Sequence, residues 1–162
     1  MDPDQQKRQA KDYTLRLIKF RLRSEKEIRD KLLGREFEPE IIDTVVESLK
    51  KAKLVDDALF ARLWVESRIK RSLGLARLAY ELKQKGIAKN LIESAIGRIK
   101  EGYDEEQVIG EIIGRKIKKM KGLSAQKIKN RLFGYLVRRG FSRGLIIEAL
   151  IRKVGYEESD NE

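Results

Sequence analysis

Between Ile112 and Ile147 the chain has no Asp or Glu for 36 residues, yet it holds eleven bases: Arg115, Lys116, Lys118, Lys119, Lys121, Lys127, Lys129, Arg131, Arg138, Arg139 and Arg143. Guanidinium and ammonium groups gathered in this way bind oxyanions, either phosphate or carboxylate, through charge and hydrogen bonds. An acid-free block of this length creates a strong positive field and favours a polyanionic or acidic partner. A plainer account covers some of these bases. Asp104–Glu106 open a helix that Lys118–Lys121 close, which complements the helix dipole. That account leaves the next helix unexplained. At about 100° per residue, Lys127, Arg131, Gly134 and Arg138 fall within about 60° of one another, beside an apolar stripe of Ile128, Leu132, Tyr135 and Leu136. Three bases around a glycine gap suit the close approach of an anionic backbone or an acidic surface. The candidate partner- or DNA-binding residues are therefore Arg115, Lys118, Lys119, Lys127, Arg131, Arg138, Arg139 and Arg143.

Other residues invite chemistry less strongly. Asp56 and Asp57 are paired carboxylates, a pattern that serves acid/base work or metal binding. Adjacent residues at a helix start diverge in direction, however, and capping accounts for them better. Phe60 and Trp64 are one turn apart beside Leu63 and are expected in the core, whereas Tyr80 falls off the Leu75-Leu78-Leu82 face and reads equally as surface or core. Gly110 and Gly114 precede Arg115-Lys116, but neither their spacing nor their context matches a phosphate-binding loop. Their expected role is to let two helices approach closely. The sequence has neither Cys nor His, which excludes disulfides, Cys/His zinc sites and Cys or His nucleophiles. No catalytic constellation, metal site or cofactor is expected.

These side chains must be held by helices. The chain has 162 residues, only two prolines, and a net charge of +11, and its wealth of Leu, Ile, Lys, Arg and Glu reads as all-α. A ladder of positions recurs at an offset of fifty: Ser24, Ile28 and Leu32, then Gly74, Leu78 and Leu82, then Ser124, Ile128 and Leu132. A period near fifty denotes tandem helical units whose neighbours bury each other's apolar faces. The expected units are residues 4–53, 54–102 and 103–155, each of three helices, followed by an acidic disordered tail at 156–162. Caps and stops mark the helices: Asp4, the Ser24/Glu27 capping box, Pro39, Asp56-Asp57, Ser72, Asp104, Ser124 and Ser142 as starts, and Gly86, Gly102, Gly122, Gly140 and Gly155 as stops. The expected first helix carries Tyr13, Leu17 and Phe20. In the third unit, Leu136–Arg139 add about one turn to the middle helix. The polar start of the chain and the lack of a run near ~18 apolar residues predict a soluble, cytoplasmic protein with no membrane contact.

Three segments carry a family resemblance: Ser24-Glu25-Lys26-Glu27-Ile28, Leu54-Val55-Asp56-Asp57-Ala58-Leu59-Phe60-Ala61 and Glu81-Leu82-Lys83-Gln84-Lys85-Gly86-Ile87. They resemble the RecX family of recombinase regulators, and the likeness spans about residues 12–152. It implies three tandem three-helix repeats in a curved, elongated array. It also implies a non-enzymatic, monomeric regulator that binds RecA-type recombinase filaments on single- or double-stranded DNA, lies in the filament groove, and damps ATP hydrolysis and strand exchange. Arg35-Glu36-Phe37 departs from the family's Lys-Gly-aromatic turn. Two other functions remain open. One is a helix-turn-helix-like DNA binder acting without a recombinase, with turns at Gly86 and Gly140 and Lys89, Asn90 and Glu93 as sparse base readers. The other is a helical adaptor for an acidic protein.

Overall fold

The computed structural model describes residues 2–155; the acidic stretch 156–162 lies outside the described residues. Among the described residues there are nine α-helices and no strands: α1 (Pro3–Phe20), α2 (Glu25–Leu33), α3 (Pro39–Lys51), α4 (Asp57–Ile69), α5 (Leu75–Gln84), α6 (Lys89–Lys100), α7 (Glu105–Ile117), α8 (Ala125–Arg138) and α9 (Arg143–Val154). They form three tandem three-helix repeats, and local chemistry sets their ends. The Ser24 hydroxyl accepts from the Glu27 amide while the Glu27 carboxylate accepts from the Ser24 amide, a complete capping box. Asp104, Ser124 and Ser142 cap α7, α8 and α9 with their side chains. Pro39 opens α3 at a position where its missing N–H costs nothing.

The middle helix of each repeat stops in the same way. The amide of Phe37 donates to the Leu32 carbonyl, Ile87 to Leu82, and Phe141 to Leu136. Each is the six-residue bond of a Schellman turn, with an apolar pair across it. The residue before each donor has positive φ: Glu36 at 61°, Gly86 at 76° and Gly140 at 87°. The departure at Arg35-Glu36-Phe37 therefore keeps the turn and places a strained non-glycine in it. The glycines answer a second demand as well. A Cβ on Gly86 would lie 2.5 Å from the Lys26 Cβ, and one on Gly140 would overlap the backbone of Arg77.

Four expectations need correction. Asp2, not Asp4, precedes α1, with Pro3 in the first turn, and the Asp2 side chain makes no cap hydrogen bond. Phe20 is 89% exposed; α1 instead buries Ala10 and Thr14, with Tyr13 packed beside them. Ser72 does not open α5. It sits at φ 53°, outside helical space, and the helix begins at Leu75. In α4 the buried residues are Phe60, Ala61 and Val65, and Leu63 is exposed. The segment from Ala58 to Val65 is apolar on nearly every side, so periodicity alone does not single out a face.

The chain divides into two compact units, one of residues up to Trp64 plus Glu81–Ala95, the other of Val65–Tyr80 plus the residues from Ile96 onward. The middle three helices contribute to both. The core of the first unit gathers Ile28 and Leu32 of α2 with Ile41, Ile42, Val45, Val46 and Leu49 of α3. The second gathers Ile109, Ile112 and Ile113 of α7 with Leu132 and Leu136 of α8 and Ile146, Ala149 and Leu150 of α9.

Within each unit, one repeat grips the next through backbone and caps. In the first, the buried Ser24 hydroxyl donates to the Lys85 carbonyl at 2.7 Å. In the second, the equivalent Gly74 has no hydroxyl, and its amide donates to the Arg139 carbonyl at 2.8 Å. Asp56 caps its own helix, accepting from the Leu59 amide at 3.0 Å. Asp57 turns elsewhere and accepts from the Glu25 amide of α2 at 2.8 Å. Glu105 does the same for Leu75 at the start of α5, also at 2.8 Å. The paired aspartates are thus caps for two different helices.

Candidate functional site

The basic block occupies the last turn of α7, the following loop, α8 and the start of α9. Burial of Ile109, Ile112 and Ile113 on one side of α7 and of Leu132 and Leu136 on α8 turns the intervening bases outward. Arg115, Lys118, Lys119, Lys127, Arg131, Arg138 and Arg143 are all exposed. Among the described residues, no salt bridge joins any of the eleven bases to a carboxylate; the nearest in sequence that does form one is Arg152, to Glu106 at 2.6 Å. Uncompensated guanidinium and ammonium groups at this density attract anions.

Not every base of the block faces solvent alone. Arg139, named above as a candidate, donates through Nη2 to the Arg71 carbonyl and through Nε to the Ser72 carbonyl at 3.2 Å. Its guanidinium also lies 5.3 Å from the centre of the Tyr135 ring. It neutralises the carbonyls of a turn whose Ser72 has positive φ, which is a structural task. Lys116 Nζ stands 3.9 Å from the centre of the same Tyr135 ring. On α8, a Cβ at Gly134 would meet the Arg138 guanidinium at 3.2 Å, so the glycine gap in the ridge is covered by Arg138.

Gly110 and Gly114 do not bring two helices together. No neighbouring atom comes within 4 Å of a Cβ built at Gly114, and only the Lys153 side chain does at Gly110. They line an open groove of about 760 Å³ with Ala149, edged by Arg115, Lys118 and Lys153 and by the carboxylates of Asp104, Glu106 and Glu111. Sequence reasoning missed Arg152 and Lys153 because Glu148 ends the acid-free run before them. Their signal was present in the basic last turn of α9. The aromatics divide as follows: Phe60 is buried, Tyr80 is exposed, and Trp64 is half-buried, stacked on Phe60 at 5.5 Å and donating from Nε1 to Glu81 at 3.1 Å.

The three repeats match three family models in order: the first three-helix domain of RecX over residues 10–49, the second over 56–96 and the third over 104–150. The regulatory protein RecX of Amycolatopsis mediterranei (strain U-32) is 32% identical over 164 residues, spanning 98% of this chain and 93% of that protein. The chain belongs to the RecX family. The regulatory protein RecX of Streptomyces lividans is 33% identical over 156 residues, covering 95% of this chain and 82% of that one. The fold is also that of RecX from Lactobacillus salivarius, whose crystal structure superposes with a TM-score of 0.79 at 20% identity, over 93% of this chain and 97% of that chain. Among the described residues no helix is long and apolar enough to cross a membrane.

Proposed function

We propose that this RecX-family chain is a non-enzymatic regulator that binds RecA recombinase filaments on DNA, lies in the filament groove, and inhibits ATP hydrolysis and strand exchange. The observation that carries the reading is the exposed run of bases on α7, α8 and α9 without carboxylate partners of its own. Such a surface is suited to phosphate backbones and acidic protein faces, both of which a nucleoprotein filament presents. Inhibition is then competition. A protein seated in the groove hinders entry of a second DNA strand, and contacts to neighbouring recombinase subunits alter their nucleotide cycle. Arg115, Lys118, Lys119, Lys127, Arg131, Arg138 and Arg143 are the bases assigned to this contact, with Arg139 holding its own turn instead.

The alternative of a sequence-reading helix-turn-helix protein has less support. In α6 the would-be reader Lys89 is already 3.7 Å from Glu93. The deciding experiment is K127E/R131E, with helicity checked by circular dichroism. The expected result is loss of inhibition of recombinase-dependent ATP hydrolysis. Undiminished inhibition removes these residues from the mechanism, and tight, sequence-selective binding to naked duplex favours the alternative.

A further inference from the structure

The first unit holds a second basic element, on α1. From Lys7 to Arg23 there are seven bases and one acid, Asp12. Arg21 is committed to Glu27 and Arg23 to the Leu17 carbonyl, while Arg8, Lys11, Arg16 and Lys19 stand exposed. Among them is Phe20, 89% exposed at the last position of α1 and one turn from Arg16. An aromatic ring so open to water gains nothing from folding. One turn back along α1, that helix and the turn after α2 form an open hollow of about 560 Å³ lined by Gln9, Asp12, Tyr13, Arg16, Arg35, Glu36 and Phe37, among others. The Arg35 guanidinium lies 4.5 Å over the Tyr13 ring.

We propose that this face is a subsite for single-stranded DNA, in which an unstacked base enters the hollow and a neighbouring base stacks on Phe20. Each component has a matching task. Aromatic rings and arginine planes stack on base faces, and an amide and a carboxylate hydrogen-bond base edges. Arg16 and Lys19 meet phosphates. Duplex DNA keeps its bases stacked and offers these groups only its backbone, so the site discriminates between strand forms. A lipid surface fits poorly, because a single phenylalanine beside a hollow lined by amide and carboxylate groups provides little apolar area for insertion. The inference rests on the function proposed above only in its class of partner, DNA; it uses none of the bases of α7–α9.

The test needs no recombinase. A fluorescein-labelled oligothymidylate and a duplex of equal length are titrated with the full chain and with R16A, F20L and F20W. A matching oligonucleotide carrying 2-aminopurine reports stacking. The expected result is that F20L weakens single-strand binding roughly fivefold or more with duplex binding within about twofold of wild type, whereas R16A, which removes a phosphate contact, weakens both. F20W, which keeps a stacking face, retains affinity and the 2-aminopurine quench. Wild type that fails to bind the single strand overturns the proposal. So does F20L binding it like wild type, or losing the duplex equally. Phe20-dependent capture of phosphatidylserine vesicles with unchanged oligonucleotide binding would assign the face to lipid instead. The K127E/R131E chain keeps its single-strand affinity if the subsite is separate, so failure of the groove-binding reading and failure of this one are distinguishable.

Discussion

Three donors converge on Glu27. Arg21 binds its carboxylate through two nitrogens at 2.9 and 3.1 Å, Lys85 at 2.7 Å and the Ser24 amide at 3.1 Å. Burial by itself favours the neutral acid, but the hydrogen bonds from Arg21, Lys85 and Ser24 outweigh it and lower the pKa to about 2. The folded value lies below the unfolded one of about 4.3, so the stabilisation is complete above that pH and is lost as pH falls toward 2. Wild type and E27Q, compared by urea denaturation at pH 5 and pH 2, should differ more at pH 5, by on the order of 1 kcal/mol after solvent screening. An unchanged difference would show that Glu27 keeps its proton balance on unfolding. The Schellman turns give a second residue-scale test. Gly86→Ala must bring both a left-handed backbone and a collision with Lys26, which should cost roughly 2–4 kcal/mol. Glu36→Gly relieves the same backbone strain and should be neutral or stabilising by up to about 1 kcal/mol. Equal and large losses in both variants would contradict the geometry of the turn.

At the scale of the helix, caps borrowed from the following repeat matter most. Asp57→Ala should cost about 1 kcal/mol, and the opening should appear at the start of α2 rather than in α4. Hydrogen exchange of the Glu25 amide would then speed up, as would that of Leu75 in Glu105→Ala. Exchange changes confined to α4 would assign Asp57 to its own helix. The helix starts at Ser24, Pro39, Asp104, Ser124 and Ser142, the glycine stops at Gly86 and Gly140 and the added turn of α8 were legible in the sequence, because each depends on residues within one turn of one another. What was not legible depends on distant partners. Asp57 and Glu105 reach back 32 and 30 positions, and Arg139 reaches back 67 and 68. Local spacing gives no sign of such pairings. The role of Gly110 and Gly114 failed for a similar reason: small residues permit close packing, but only the placement of α9 decides whether anything packs there.

Across the whole molecule, charge is the dominant long-range term, with a net +11 whose excess of bases over acids lies in α1 and α7–α9. Filament affinity should therefore weaken with salt. If Lys127 and Arg131 each neutralise a phosphate, K127A/R131A lowers the slope of log affinity against log salt concentration by roughly 2. A parallel line of unchanged slope would place both side chains outside the phosphate contact. Borrowed capping also bears on how this chain can be taken apart. A fragment cut after residue 53 discards the acid that finishes α2, and one cut after residue 102 discards the acid that finishes α5. Deletion mapping at those borders would confuse a fraying helix with a lost binding surface, and a transplanted repeat would need the opening residues of its downstream neighbour to travel with it.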